Sequence, residues 1–195
     1  KRWSRYSFMD IQVREKTIEE IEKKILEMGT SLNKIKYLES AIREVGFSYE
    51  IKRFLWKLLA KYYVESGMYE KAAKAMSQKA SAEVSFKERI ESYLEAGELY
   101  ARIGKVSDAD EMFVRAIRDA PEARKSAIKL ARKNIYLVSA KTLEEKGKKA
   151  SAVKFYEKLI KMNLEEVEKD EIKKKLLATY NALGLFREAK LLEGL

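Results

Sequence analysis

Apolar residues recur along this chain in steps of three and four, and five glycines punctuate them. Gly29, Gly67, Gly104, Gly147 and Gly184 stand 38, 37, 43 and 37 residues apart, each between two stretches of helical periodicity. Before Gly67 come Trp56, Leu59, Ala60 and Tyr63, and after it Tyr69, Ala72 and Met76. Around Gly104, Tyr93, Ala96, Gly97, Tyr100, Ala109 and Phe113 sit at the same offsets, followed by Ala116 and Pro121. Residues three and four apart share a helix face, so each unit predicts helix, tight turn, helix. Recurrence at this period predicts stacked hairpins, each burying its apolar face against the next. Each glycine is expected at a helix C-terminus in a left-handed conformation, which a residue with a Cβ adopts only at a cost.

The third hairpin keeps Tyr136, Ala140, Leu143, Gly147, Ala152 and Tyr156, and the fourth keeps Leu176, Leu177, Tyr180, Gly184, Phe186 and Ala189. The stretch Ile18, Ile21, Ile25, Gly29, Leu32, Ile35, Leu38, Ala41, Ile42 has the periodicity without the aromatic residues, and reads as a degenerate first unit or cap. The Gly104 unit resembles the tetratricopeptide repeat family. In that family the small residues at Ala96, Gly97 and Ala109 let paired helices approach, and the proline closes the second helix. The resemblance implies an all-α, right-handed superhelical solenoid of antiparallel helix pairs, about five in number, forming one domain over 1–195. Its units would be a degenerate repeat at 14–45, repeats at 49–83 and 84–121, one with a long first helix at 122–163, and a C-terminal repeat at 165–195. The spacings exceed the roughly 34 residues usual for the family. Longer helices follow, as in tetratricopeptide-like relatives such as the soluble NSF attachment proteins. The 43-residue interval predicts one lengthened helix from Glu122 to about Lys146.

Composition narrows the function more than the fold. The chain has neither cysteine nor histidine. That removes thiolate nucleophiles, disulfides, the commonest general base and the commonest zinc ligands. The acidic pairs Glu19/Glu20, Glu144/Glu145, Glu165/Glu166 and Asp170/Glu171 lie among lysines and read as solvated helix surface. We therefore expect no catalysis, cofactor, metal or small-molecule substrate. One proline and no Gly/Ser-rich stretch argue against a flexible linker. No apolar run is long enough to span a membrane, and Lys1, Arg2, Trp3, Ser4 and Arg5 do not read as a signal peptide, so a cytoplasmic setting is expected. The chain starts without methionine, which leaves open whether a membrane span or another domain precedes it. Abundant Lys and Glu with scarce Asn and Gln is the bias of hyperthermophile proteins.

The net charge of +10 favours anionic partners. Its excess peaks in 105–148, with eleven Lys and Arg against seven Asp and Glu. Arg124, Lys125, Lys129, Arg132 and Lys133 fall on the start of the long helix, with Lys125, Lys129 and Arg132 on one face, and Arg115 and Arg118 could extend the stripe. Lys146, Lys148 and Lys149 flank the Gly147 turn, and Lys173, Lys174 and Lys175 are expected to start the next long helix. Such clusters could hold RNA or a ribosome through its phosphates, although solvated lysine-rich helices are the favoured explanation.

The resemblance implies that the first helix of each pair lines a concave groove for partner proteins. Offsets from the glycines place Phe54, Lys57, Lys61 and Val64 there, then Leu94, Glu98 and Arg102, then Asn134, Leu137 and Lys141, and lastly Lys174 and Asn181. That surface suits a helix or extended segment of an acidic partner protein. The apolar end Leu191, Leu192 and Leu195 suggests a homodimer through the C-terminal helix.

Overall fold

A computed structural model describes residues 12–194 of the chain. Among these residues there are ten α-helices and no strand. The helices are α1 (Ile18–Glu27), α2 (Ser31–Ala41), α3 (Tyr49–Glu65), α4 (Tyr69–Ala82), α5 (Phe86–Arg102), α6 (Val106–Asp119), α7 (Glu122–Glu145), α8 (Lys149–Leu159), α9 (Glu166–Ala182) and α10 (Phe186–Glu193). From α2 onward they stack consecutively, each later helix packing on the one before it. This is the expected all-α solenoid of hairpins. The basic residues Lys1, Arg2 and Arg5 and the terminal Leu195 lie outside the described residues. No described helix is long and apolar enough to cross a membrane.

Four of the five hairpins turn in the same way. Gly67, Gly104, Gly147 and Gly184 have φ of 73°, 82°, 72° and 72°. At Gly67 the glycine N–H donates to the Val64 carbonyl at 3.0 Å and the Met68 N–H donates to Tyr63 at 2.7 Å. The same pair of bonds recurs at the other three, satisfying carbonyls that the helix end would orphan. The residue after each glycine directly starts the next helix, without a side-chain cap. Gly29 departs from the expectation: it has no positive φ, and α1 ends instead in an extended Met28. There α2 is started by Thr30, whose hydroxyl accepts the Asn33 N–H. The first unit thus needs a cap where the others need a glycine.

Burial follows the apolar pattern. Tyr63, Tyr93, Tyr100 and Phe113 are buried, and Trp56 is half-buried against the core. A Cβ added to Gly97 would sit 3.0 Å from the Phe113 ring, so the small residue is what lets α5 and α6 close. Phe113 meets Tyr136 edge-on at 5.7 Å, and Tyr136 meets Phe155 at 5.2 Å, which carries the core from α6 through α7 to α8.

The long interval is absorbed by α7, which has 24 residues. It starts at Glu122 as expected and packs on α6 over a much shorter stretch than α5 does on α4. A polar cluster also stands at this joint. Asp110 stands six residues after its glycine, where the neighbouring hairpins hold buried Ala73 and Val153. Its carboxylate accepts from Arg132, from the Tyr136 hydroxyl at 2.8 Å and from Lys158 at 2.8 Å. Arg89, at the position in the previous hairpin equivalent to Arg132, instead reaches Asp119 at the end of its own hairpin, 3.7 Å away. An ionic knot therefore sits beside the Phe113–Tyr136 contact at this joint. Lys173, Lys174 and Lys175 also differ from expectation: α9 starts at Glu166, which puts them mid-helix.

Candidate functional site

The first helices of successive hairpins, α3, α5 and α7, leave two clefts between them. The cleft between α3 and α5 has a volume of about 420 Å³ and is walled by Lys57, Lys61 and Val64 on one side and Glu95, Glu98, Leu99 and Arg102 on the other. The cleft between α5 and α7 measures about 790 Å³. Its walls are Glu98, Arg102 and Ile103 opposite Asn134, Ile135, Val138, Thr142 and Leu143, and Lys146, Lys148 and Tyr69 close its turn end. Glu98 and Arg102 line both, so the clefts adjoin along α5.

Six residues expected in a groove are thus brought together: Lys57, Lys61, Val64, Glu98, Arg102 and Asn134. Phe54, Leu94 and Leu137 are turned partly inward and pack on the core. Lys141, Lys174 and Asn181 are exposed but line neither cleft. The miss on α7 is one of register. Its cleft-facing residues are Asn134, Ile135, Val138, Ser139, Thr142 and Leu143, whereas offsets carried over from α3 select Leu137 and Lys141. Val138 was the available signal, since it is apolar yet lies off the buried stripe of Tyr136, Ser139, Ala140 and Leu143, and it is 66% exposed.

Charge in the clefts is mixed. Lys57, Lys61 and Arg102 alternate with Glu65, Glu95 and Glu98 in the narrower cleft. The Glu95 carboxyl is raised above its ordinary value, chiefly by withdrawal from water, with Lys79 and Lys57 opposing and Glu98 and Glu91 adding to the rise. Arg102 at the end of α5 lies over the Tyr69 ring, 5.1 Å from its centroid. Lys146 and Lys148 close the turn end of the wider cleft and make no ion pair among the described residues.

The basic stripe is largely spent on the protein itself. Arg115 pairs with Glu111, Arg118 with Asp119, Lys125 with Glu122, Arg132 with Asp110 and Lys133 with Glu168. Arg124 and Lys129 remain without an ion pair among the described residues. Of the acidic pairs, Glu144 is not simple helix surface: it accepts the Tyr156 hydroxyl at 2.7 Å and the Thr179 hydroxyl at 3.0 Å, tying α7 to α8 and α9. Among the described residues, no cluster of His, Cys, Asp and Glu is arranged to hold a metal ion.

A tetratricopeptide-repeat family model matches residues 126–166, which cover most of α7 and all of α8. The matched hairpin is the one that carries the wider cleft on its first helix. No curated protein matches the chain.

Proposed function

We propose, from the premise that this is a tetratricopeptide-like helical-repeat protein, that it is a non-catalytic scaffold holding a partner protein along the face of α3, α5 and α7. The observation that carries the reading is the pair of clefts joined through Glu98 and Arg102. Together they offer adjoining surfaces with apolar residues and mixed charge, basic at the Lys146/Lys148 end, suited to a helix or extended segment that carries acidic residues. Chemistry has no obvious seat here. Cysteine and histidine are lacking, and withdrawal from water is the chief cause of the raised Glu95 carboxyl, with the charges of Glu98, Glu91, Lys57 and Lys79 adding smaller effects. A phosphate-binding role for the 105–148 stripe is less well supported, because five of its seven cations already face carboxylates.

The test starts from tagged protein in a native lysate, with half the sample nuclease-treated and both halves washed across a salt series. A protein that survives both treatments is then titrated against the wild type and against Lys61→Glu combined with Arg102→Glu. The reading expects affinity to fall about tenfold or more, as for loss of central charged contacts. Unchanged affinity would remove the cleft face from consideration, and recovery that depends on intact nucleic acid would favour the stripe.

A further inference from the structure

We infer that the wider cleft, between α5 and α7, is the docking site for an amphipathic α-helix of a partner protein that carries acidic side chains at its C-terminal turn. This rests on the scaffold reading above and names the chemistry of the partner.

Volume comes first. The first helices α5 and α7 enclose about 790 Å³, against about 420 Å³ between α3 and α5. The walls decide what fills it. Ile103 lies opposite Ile135 and Val138, one helical step apart on α7, with the buried Leu143 at the base of the turn end. Val138 stands 66% exposed in that wall.

An extended segment laid here would present an N–H and a C=O at each residue, all needing partners. The α7 wall offers Asn134 and Thr142, while Ser139 is buried to 9% exposure. A helix satisfies its own backbone and asks of the cleft only an apolar surface for one face.

Charge sets the direction. Arg102, Lys146 and Lys148 gather at the turn end, where they complement both acidic side chains and the negative end of a helix dipole. One turn back along α5, Glu98 disfavours an acid placed further in. The partner helix therefore runs with its C-terminus towards Gly147.

The experiment selects binders to the full chain from a displayed library of random peptides about sixteen residues long, enough for roughly four helical turns. One selected peptide is resynthesised as found, with a central proline, and with its acidic residues moved to the opposite end. Each is titrated against the wild type, Val138→Asp, Lys146→Glu with Lys148→Glu, and Lys57→Glu with Lys61→Glu. The proposal expects helical periodicity and a C-terminal acidic turn among the selected sequences. It also expects losses of about tenfold or more with the proline, the moved acids, Val138→Asp and the Lys146/Lys148 reversal, and little change with the Lys57/Lys61 reversal. Binding that tolerates proline, or that maps to Lys57 and Lys61, overturns the helix in the wider cleft while leaving the scaffold reading intact. Binding insensitive to every variant, or no selected binder at all, overturns both. Val138 and the two lysines are exposed and outside the core, so a folding failure does not confound their substitution.

Discussion

At the residue scale, the glycines divide by the reason each is needed. Gly97 is a matter of space. Its missing Cβ would press on Phe113, which cannot retreat because Tyr136 backs it and Phe155 backs Tyr136 in turn. Gly97→Ala should therefore destabilise by about 1–3 kcal/mol despite the better helix propensity of alanine. Gly67 and Gly147 have open space around them, and only their positive φ resists replacement. Alanine there should cost about 1–2 kcal/mol. At Gly29, with neither a crowded Cβ nor a positive φ, alanine should stay within about 0.5 kcal/mol. Urea denaturation of the four variants checks the ordering, and a Gly29→Ala cost equal to that of Gly67→Ala would refute the distinction. The recurrence of glycine was plain in the sequence. Which glycine serves conformation and which serves contact was not, because that depends on what packs opposite.

At the scale of elements, the joints between hairpins are held by tyrosine–carboxylate pairs that the apolar pattern could not disclose. The hydroxyl of Tyr63 donates to Glu39 at 2.6 Å, Tyr136 to Asp110 at 2.8 Å and Tyr180 to Glu157 at 2.7 Å. Tyr63 and Tyr180 stand four residues before their glycines, with Glu39 and Glu157 both ten residues after the preceding one, so the clasp repeats with the fold. Burial first, then the adjacent carboxylate, raises all three tyrosine pKa values above the ordinary one. The stability these pairs contribute is present below the unfolded tyrosine value, about 10, and is lost as the pH rises beyond it. For Asp110, burial works to raise the carboxyl. Hydrogen bonds from Lys158 and Tyr136 with the charge of Arg132 outweigh it and hold the value low. Its contribution is full above the ordinary carboxylate range, about pH 4, and is lost as the pH falls through the depressed native value.

The unfolding temperature should accordingly be flat near neutrality and fall on both sides, with Tyr63→Phe reducing the alkaline fall. A Tyr63→Phe variant whose unfolding temperature falls in alkali as steeply as the wild type's would contradict this account. Asp110→Ala would strand Arg132, whose Nε already lacks a hydrogen-bond partner in its buried position. A loss of about 3 kcal/mol is expected, and adding Arg132→Met should recover part of it. Thermal denaturation of the single and double variants tests that coupling, and simple additivity would speak against the knot. From the sequence, Asp110 looks like one more charge on an amphipathic helix. Only its place six residues after the glycine, where alanine and valine stand in neighbouring hairpins, betrays it.

For the whole molecule, the solenoid and its longest helix were legible because hydrophobic period and glycine spacing report directly on hairpins. The groove was half legible. Offsets transfer better between α3 and α5, whose intervals nearly match, than to α7, where the interval is longer and Ile135, Val138 and Thr142 face the cleft in place of Leu137 and Lys141. The excess of positive charge misleads for a related reason: its sum is readable in sequence, but its pairing requires the fold. With only Arg124 and Lys129 unpaired within the stripe, single-stranded RNA should bind weakly. The logarithmic salt slope should correspond to about two phosphates, and a slope of about five or more in a salt titration would restore the stripe as a binding surface.

The central claim is that α3, α5 and α7 together form the partner-binding surface. Amide hydrogen exchange, compared with and without a saturating protein partner, tests it most directly. Slowed exchange concentrated in α3, α5 and α7, strongest across Asn134–Lys146, is the predicted result. Protection confined to α9 and α10, or to the second helices α4, α6 and α8, would contradict it.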